Sequence, residues 1–264
     1  MDVGAFGENL AISAAVVVAV LVVSFAVTVL RRRFDTIDTA WGLGFAAVGV
    51  LGCVLAPGAW RSWLVAILTV LWGVRLARHI HHRNSLRGED PRYAEIAERA
   101  GEHPYRHLLL VVYPVQGAVM WLVSTPLVAA AHVDARFGPL DALGIVVWLI
   151  GLCFEVVGDA QLARFKADPA NDGTVMDRGL WRFSRHPNYF GDACVWWGLY
   201  LIACHHWIAI LTIVGPLVMT YLLARGTGKP LTEKHMRETR PGYADYIGRT
   251  SGFLPLPPRN RVVR

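Results

Sequence analysis

Runs of apolar residues long enough to cross a lipid bilayer decide what this chain can become. The segment Asn9–Leu30 holds no charged residue. At 1.5 Å per residue, about 20 such residues in a helix match the hydrocarbon core of a bilayer. In that core each backbone amide must be satisfied within the protein, which leaves only helices and closed barrels. Comparable runs recur, and they predict seven spans near 9–30, 37–56, 62–78, 107–131, 139–162, 189–205 and 207–224. Of the 264 residues, 54% are hydrophobic and 17% charged, where a soluble domain carries about 25% charged. The expectation is an all-α polytopic membrane protein: one integral-membrane domain over 1–264 with seven transmembrane helices and a cytoplasmic C-terminal tail. The first run has no basic start and is followed by Arg31-Arg32-Arg33, so it reads as a retained span rather than a cleavable leader.

Basic residues set the orientation. Of the 26 Lys and Arg, 24 lie in 31–36, 75–106, 163–188 and 225–264, and only Arg61 and Arg136 fall in the other set of connections. The positive-inside rule then predicts a multi-pass protein with the N-terminus outside and the C-terminus in the cytoplasm. The net charge of +6 sits on the inner face, suited to anionic membrane lipids and to an anionic cofactor; it implies no nucleic acid. Cys53, Cys153, Cys194 and Cys204 fall in or at the edge of spans without metal spacing, so they read as small apolar residues and no metal site is expected. There is no G-x-G-x-x-G after a strand and no P-loop, so a soluble Rossmann site is excluded.

Polar residues inside spans are costly and mark function. With this orientation Asp38, Arg75, Tyr113, Gln116, Glu155, Asp159, Asn188 and Asp192 all fall near the cytoplasmic ends of their spans, and the outer halves read as almost wholly apolar. Glu155 and Asp159 are i, i+4, as are Asn188 and Asp192, so each pair shares one helix face. Two carboxylates so placed need cations, and Arg75, Arg78, Arg164, Lys166, Arg182 and Arg185 are available. In Arg185-His186-Pro187-Asn188-Tyr189, Pro187 opens a helix and holds Arg185 and His186 extended before its N-terminus, an arrangement suited to phosphate. His79, His81 and His82 fall in a juxtamembrane loop, Arg83–Tyr93 in a polar one. The tail over 232–238 reads as a short helix, and the aromatic and proline residues of 241–258 suggest that it folds back over the cytoplasmic mouth.

On these residues the chain resembles the steroid 5-alpha-reductase family, in its largely uncharacterised bacterial branch. The resemblance rests on Glu155-x-x-x-Asp159-x-Gln161, Gly179-Leu180-Trp181, Arg185-His186-Pro187-Asn188-Tyr189-x-Gly191-Asp192 and Tyr243-x-x-Tyr246-x-x-Arg249-Thr250. It covers most of the length, with a reductase-like region over 139–258. Sterol C14 reductases and isoprenylcysteine carboxyl methyltransferases share similar ends. The resemblance implies a bacterial plasma membrane and hydride transfer from NADPH at the cytoplasmic side. It implies cofactor contacts at Arg75, Glu155, Asp159, Lys166, Asn188 and Asp192, and the basic stretch adds Arg182, Arg185, His186 and Tyr189. Where steroid-reducing members carry a substrate-polarising tyrosine in the third span, Trp72 stands here; Asp38 and Tyr113 are the candidate catalytic groups instead.

The reading is thus a membrane-embedded, NADPH-dependent reductase of a carbon–carbon double bond of the enone type. Its substrate would be a hydrophobic lipid or steroid-like molecule entering from the bilayer, and no obligate protein partner is evident. Two alternatives stand beside it: an S-adenosylmethionine-dependent methyltransferase of the isoprenylcysteine carboxyl methyltransferase type, and a non-enzymatic lipid-binding or scaffold protein.

Overall fold

The structure, a computed structural model, describes residues 3–56, 58–86 and 89–259. Among these residues the elements are helical, apart from one isolated parallel bridge between Ser184 and Ser251. In chain order they are α1 Val3–Arg31, α2 Thr36–Leu55, α3 Trp60–Ser85, α4 Pro91–Arg99, α5 Pro104–His107, α6 Tyr113–Ala131, α7 Pro139–Ala167, α8 Pro187–Ala203, α9 Trp207–Leu211, α10 Val214–Ala224, α11 Lys229–Thr239 and α12 Tyr243–Arg249. Among the described residues, six helical stretches are long and apolar enough to cross a membrane: α1, α2, α3, Pro104–Ala131, α7 and Trp207–Thr239. The expected span 189–205 corresponds to α8, whose 17 residues reach about 26 Å at 1.5 Å each.

The chain divides into two compact units. One runs through Phe137 and takes in Ile202–Gly215; the other comprises Gly138–Leu201 and the chain from Pro216 onward.

In the first unit, α1 is built inside out. Its buried face is Asn9, Ser13, Val17, Leu21, Ser24 and Thr28, while Val18, Val22, Val23 and Leu30 are exposed. Small polar residues let helices approach closely, and their hydrogen bonds replace the hydrophobic drive that lipid removes. Asn9 Nδ2 donates to His132 Nε2 at 2.7 Å, and Trp121 Nε1 donates to the Leu10 carbonyl at 2.9 Å. Polar pairs therefore run along the whole of α1, which corrects the expectation that they gather only at the cytoplasmic ends. On α2, a side chain at Gly42 would strike the Gly73 carbonyl of α3. Trp72 is fully buried with its ring 5.9 Å from that of Phe45. Arg61, fully buried, donates to the carbonyls of Val133 at 2.9 Å and Ala135 at 3.3 Å.

Two local expectations need correction. His79, His81 and His82 lie on the last turns of α3 rather than in a loop, because α3 continues to Ser85. The following loop holds α4, with Arg87 and Gly88 outside the described residues. Between α5 and α6 the chain widens into a π-turn over Leu108–Val112. Pro114 accounts for it: its ring lacks an N–H and would press on the carbonyl four residues back.

In the second unit, α7 and α8 meet on glycine. A Cβ at Gly151 would lie 2.5 Å from the Gly191 carbonyl oxygen, and one at Gly198 would lie 2.6 Å from that of Gly144. Gly144, Gly151 and Gly158 recur every seven residues, as do Gly191 and Gly198, so each series stays on one face and the two backbones touch.

Candidate functional site

The site of the second unit begins with a turn docked on α7. Gly179 takes φ +58° with the Gln161 side chain packed against its Cα. The Leu180 N–H donates to Gln161 Oε1 at 2.9 Å, and Trp181 Nε1 donates to the Gly158 carbonyl at 3.0 Å. The turn residues Gly179–Arg182 thereby fix where the following Ser184–Pro187 segment runs.

The close glycine contact brings the first turns of α8 against the carboxylate face of α7. Glu155 and Asp159 are buried, at 2% and 8% exposure. Asn188 Nδ2 donates to Asp159 Oδ1 at 3.2 Å, while its Oδ1 accepts the Tyr189 N–H at 3.1 Å. A Cβ at Gly191 would lie 2.9 Å from the Glu155 Cγ, so the glycine leaves room for that side chain. With about 100° between successive residues, Glu155, Asp159 and Lys166 fall within about 40° of one another on α7. Lys166 and Arg182 are exposed, and Asp192 is half-buried. Arg75 is half-buried on α3 in the first unit.

Arg185 and His186 are held extended, as the proline predicts, but they face the chain's own tail. The Arg185 N–H donates to the Ser251 carbonyl at 2.8 Å. Its guanidinium, 8% exposed, donates to Glu233 Oε1 at 2.8 Å and to the carbonyls of Ile247 at 3.1 Å and Thr250 at 2.5 Å. His186 Nε2 lies 3.2 Å from the same Glu233 oxygen, and its ring stacks on Tyr189 at 5.1 Å. Arg185 therefore has its charge and its Nε and Nη1 donors met inside the protein. Burial pushes the Glu233 carboxyl up, but hydrogen bonds from His186 and Arg185 outweigh it and hold the group at about 2. Burial lowers His186 below the ordinary histidine value, against the pull of Glu233, so it is neutral at pH 7.

The tail is tied down along its length. Ser184 Oγ donates to the Phe253 carbonyl at 2.8 Å, the Leu256 N–H to that of Phe183 at 3.0 Å, and the Tyr246 hydroxyl to that of Trp181. Arg249 pairs with Asp177 at 2.5 Å. The tail does fold back, and it does so onto 177–186. Glu233 is the residue that sequence reasoning missed.

The two candidate catalytic groups lie in the first unit and are both engaged. Tyr113 is buried, with its hydroxyl 2.9 Å from Thr28 Oγ1 and 3.3 Å from Ser24 Oγ. Asp38 Oδ1 accepts from the buried Tyr93 hydroxyl of α4 at 2.6 Å. Among the described residues no group of three His, Cys, Asp or Glu could hold a metal.

No solved structure matches. An uncharacterized protein of Schizosaccharomyces pombe is 26% identical, over 85% of this chain and 71% of the relative. The family model described as "Protein of unknown function (DUF1295)" matches residues 24–250, and with so much of its length covered the chain belongs to the DUF1295 family.

Proposed function

We propose that this protein is an NADPH-dependent membrane reductase of a carbon–carbon double bond in a lipid or steroid-like substrate, with the cofactor held by the second unit. The observation that carries the reading is the buried pair Glu155 and Asp159, tied through Asn188 to the first turn of α8. Buried carboxylates are costly in a membrane protein unless they serve a ligand or a partner. The donor set fits the cofactor: carboxylates and an amide suit ribose hydroxyls and a carboxamide, and the exposed Lys166 and Arg182 suit phosphates. NADPH, when bound, supplies the hydride. Arg185, His186 and Tyr189 then act as positioning residues, since the first two hold Glu233 and the third stacks on His186. On the substrate side, Asp38, which accepts from the Tyr93 hydroxyl, could donate to a substrate carbonyl only in its protonated form, and the Tyr113 hydroxyl serves the α1–α6 packing. The topology that goes with this reading has seven spans, with α8 as the sixth, the N-terminus outside and the cofactor entering from the cytoplasm.

The test is thermal stabilisation of detergent-purified protein by NADPH, NADH and S-adenosylmethionine. NADPH is expected to raise the melting temperature most, and Asp159→Ala and Asn188→Ala to weaken its binding at least tenfold without loss of the folded elution peak. Stabilisation by S-adenosylmethionine alone would make the protein a methyltransferase. No effect of any nucleotide would leave a lipid-binding or scaffold protein.

A further inference from the structure

The opposite face of α7 has a chemistry of its own. At about 100° per residue, Ile150, Phe154, Val157, Gln161 and Arg164 fall within about 80° of one another, and about 100–180° from Glu155 and Asp159. Two hollows open along this stripe. The first, about 290 Å³, is wholly apolar and is lined by Val146, Leu149, Ile150, Cys153 and Phe154. The second, also about 290 Å³, has charged side chains at its edge over a largely apolar lining and lies at the cationic end of α7, between Arg164, Phe165 and Asp168 on one side and Met176, Arg178 and Gly179 on the other. Eleven residues make just over three whole turns, so Ile150, Cys153 and Phe154 of the first hollow stand within about 20° of being in line with Gln161, Arg164 and Phe165 of the second. The two sets are about 16 Å apart along the axis. Val157, 42% exposed, bridges them.

That spacing is one leaflet, half of a hydrocarbon core about 30 Å thick. Arg164 and Arg178 are both exposed, and among the described residues neither guanidinium has an ion pair or hydrogen bond. The one carboxylate lining the second hollow, Asp168, already accepts the Ala170 N–H at 3.0 Å. Two cations thus meet one anion beside an apolar track that runs to mid-bilayer depth. Charge complementarity and length together select an amphiphile with an anionic head.

We infer that this face of α7 binds an anionic phospholipid, with its phosphate between Arg164 and Arg178 and an acyl chain laid along Val157 into the groove at Ile150, Cys153 and Phe154. The site is separate from the carboxylate face and does not rest on the reductase reading. Arg164 and Phe165 would fix the depth of the head group, and Gln161, already holding the turn at Leu180, keeps Arg178 opposite Arg164.

The experiment uses full-length protein in neutral detergent, with thermal melting and native mass spectrometry in the presence of phosphatidylglycerol, phosphatidylcholine or glycerol phosphate. Phosphatidylglycerol is expected to raise the melting temperature and to remain bound, phosphatidylcholine to do so weakly, and glycerol phosphate not at all. Replacing both arginines (Arg164→Gln with Arg178→Gln) should weaken phosphatidylglycerol roughly thirtyfold, each arginine being worth about fivefold near a membrane surface. The corresponding double lysine variant should keep most of the preference. Cys153→Trp, which fills the groove and leaves the arginines in place, should weaken it too. The inference is overturned if phosphatidylcholine binds as well, if glycerol phosphate alone reproduces the shift, or if the glutamine pair keeps the wild-type affinity.

Discussion

At the scale of single residues, Glu233 organises the second unit. It receives Arg185 and His186 on one oxygen, and Arg185 in turn closes over the carbonyls of Ile247 and Thr250. Removing one partner of a buried ion pair strands the other, at a cost of about 3–5 kcal/mol. Glu233→Ala should therefore lower the melting temperature sharply and expose the tail to proteolysis near Arg249. Arg185→Met combined with Glu233→Leu should cost less than the sum of the single changes, and an additive double variant would show that the two do not act as a pair. Acid should have the same effect. Glu233 is held at about 2 in the folded protein against an ordinary value near 4.3. Its contribution is present above the unfolded value and is lost as pH falls from about 4.5 toward 2. His186, lowered from its ordinary value, adds stability that is complete above about 6.5 and fades as pH drops. Melting temperature should fall on acidification in the wild type and fall less in Glu233→Gln; equal slopes would remove Glu233 as the cause. Sequence alone could not single out this acid. It lies 48 residues from Arg185, on a short helix where Glu238 offers the same chemistry.

At the scale of elements, the glycine seam between α7 and α8 sets the geometry of the carboxylate face. It was present in the sequence as two seven-residue glycine series, and it is absent from a reading that looks only for charge. Gly151→Leu or Gly191→Leu would drive a side chain into the facing backbone, costing at least about 2 kcal/mol. The same change at Gly173, around which nothing lies within 4 Å of an added Cβ, would act only through its φ of +73°, a smaller penalty of roughly 1–2 kcal/mol. Melting curves of the three variants check the order. The spans themselves were legible because length and hydropathy are local properties. What stayed hidden depends on partners far along the chain: that the buried face of α1 is its polar one, that Tyr113 answers Thr28 across 85 residues, and that the third helix runs on past Arg78 to Ser85. Trp72 departs from the tyrosine that the family resemblance implies, and its full burial beside Phe45 gives the departure a packing role.

At the scale of the whole molecule, the question is how many times the chain crosses the membrane, and α8 decides it. At 17 residues it is a little short for a lipid-facing span of about 20 residues. Its burial removes that difficulty, because Val195, Trp196, Leu199 and Ile202 are fully buried, and a helix wrapped in protein need not match the lipid thickness. Counting α8 gives seven crossings and puts the basic connections on one side; omitting it would carry the tail, with nine of the 26 Lys and Arg, to the side opposite the other basic loops, against the positive-inside rule. Single cysteines in a background cleared of the four native ones decide between the two. Gly58→Cys and His206→Cys should react with a membrane-impermeant maleimide in intact cells. Ala170→Cys and Thr239→Cys should react only after permeabilisation. Labelling of Thr239→Cys from outside would place the tail, and with it Glu233 and Arg185, on the far side of the membrane from any cytoplasmic nucleotide, and the reductase reading would fall with the topology.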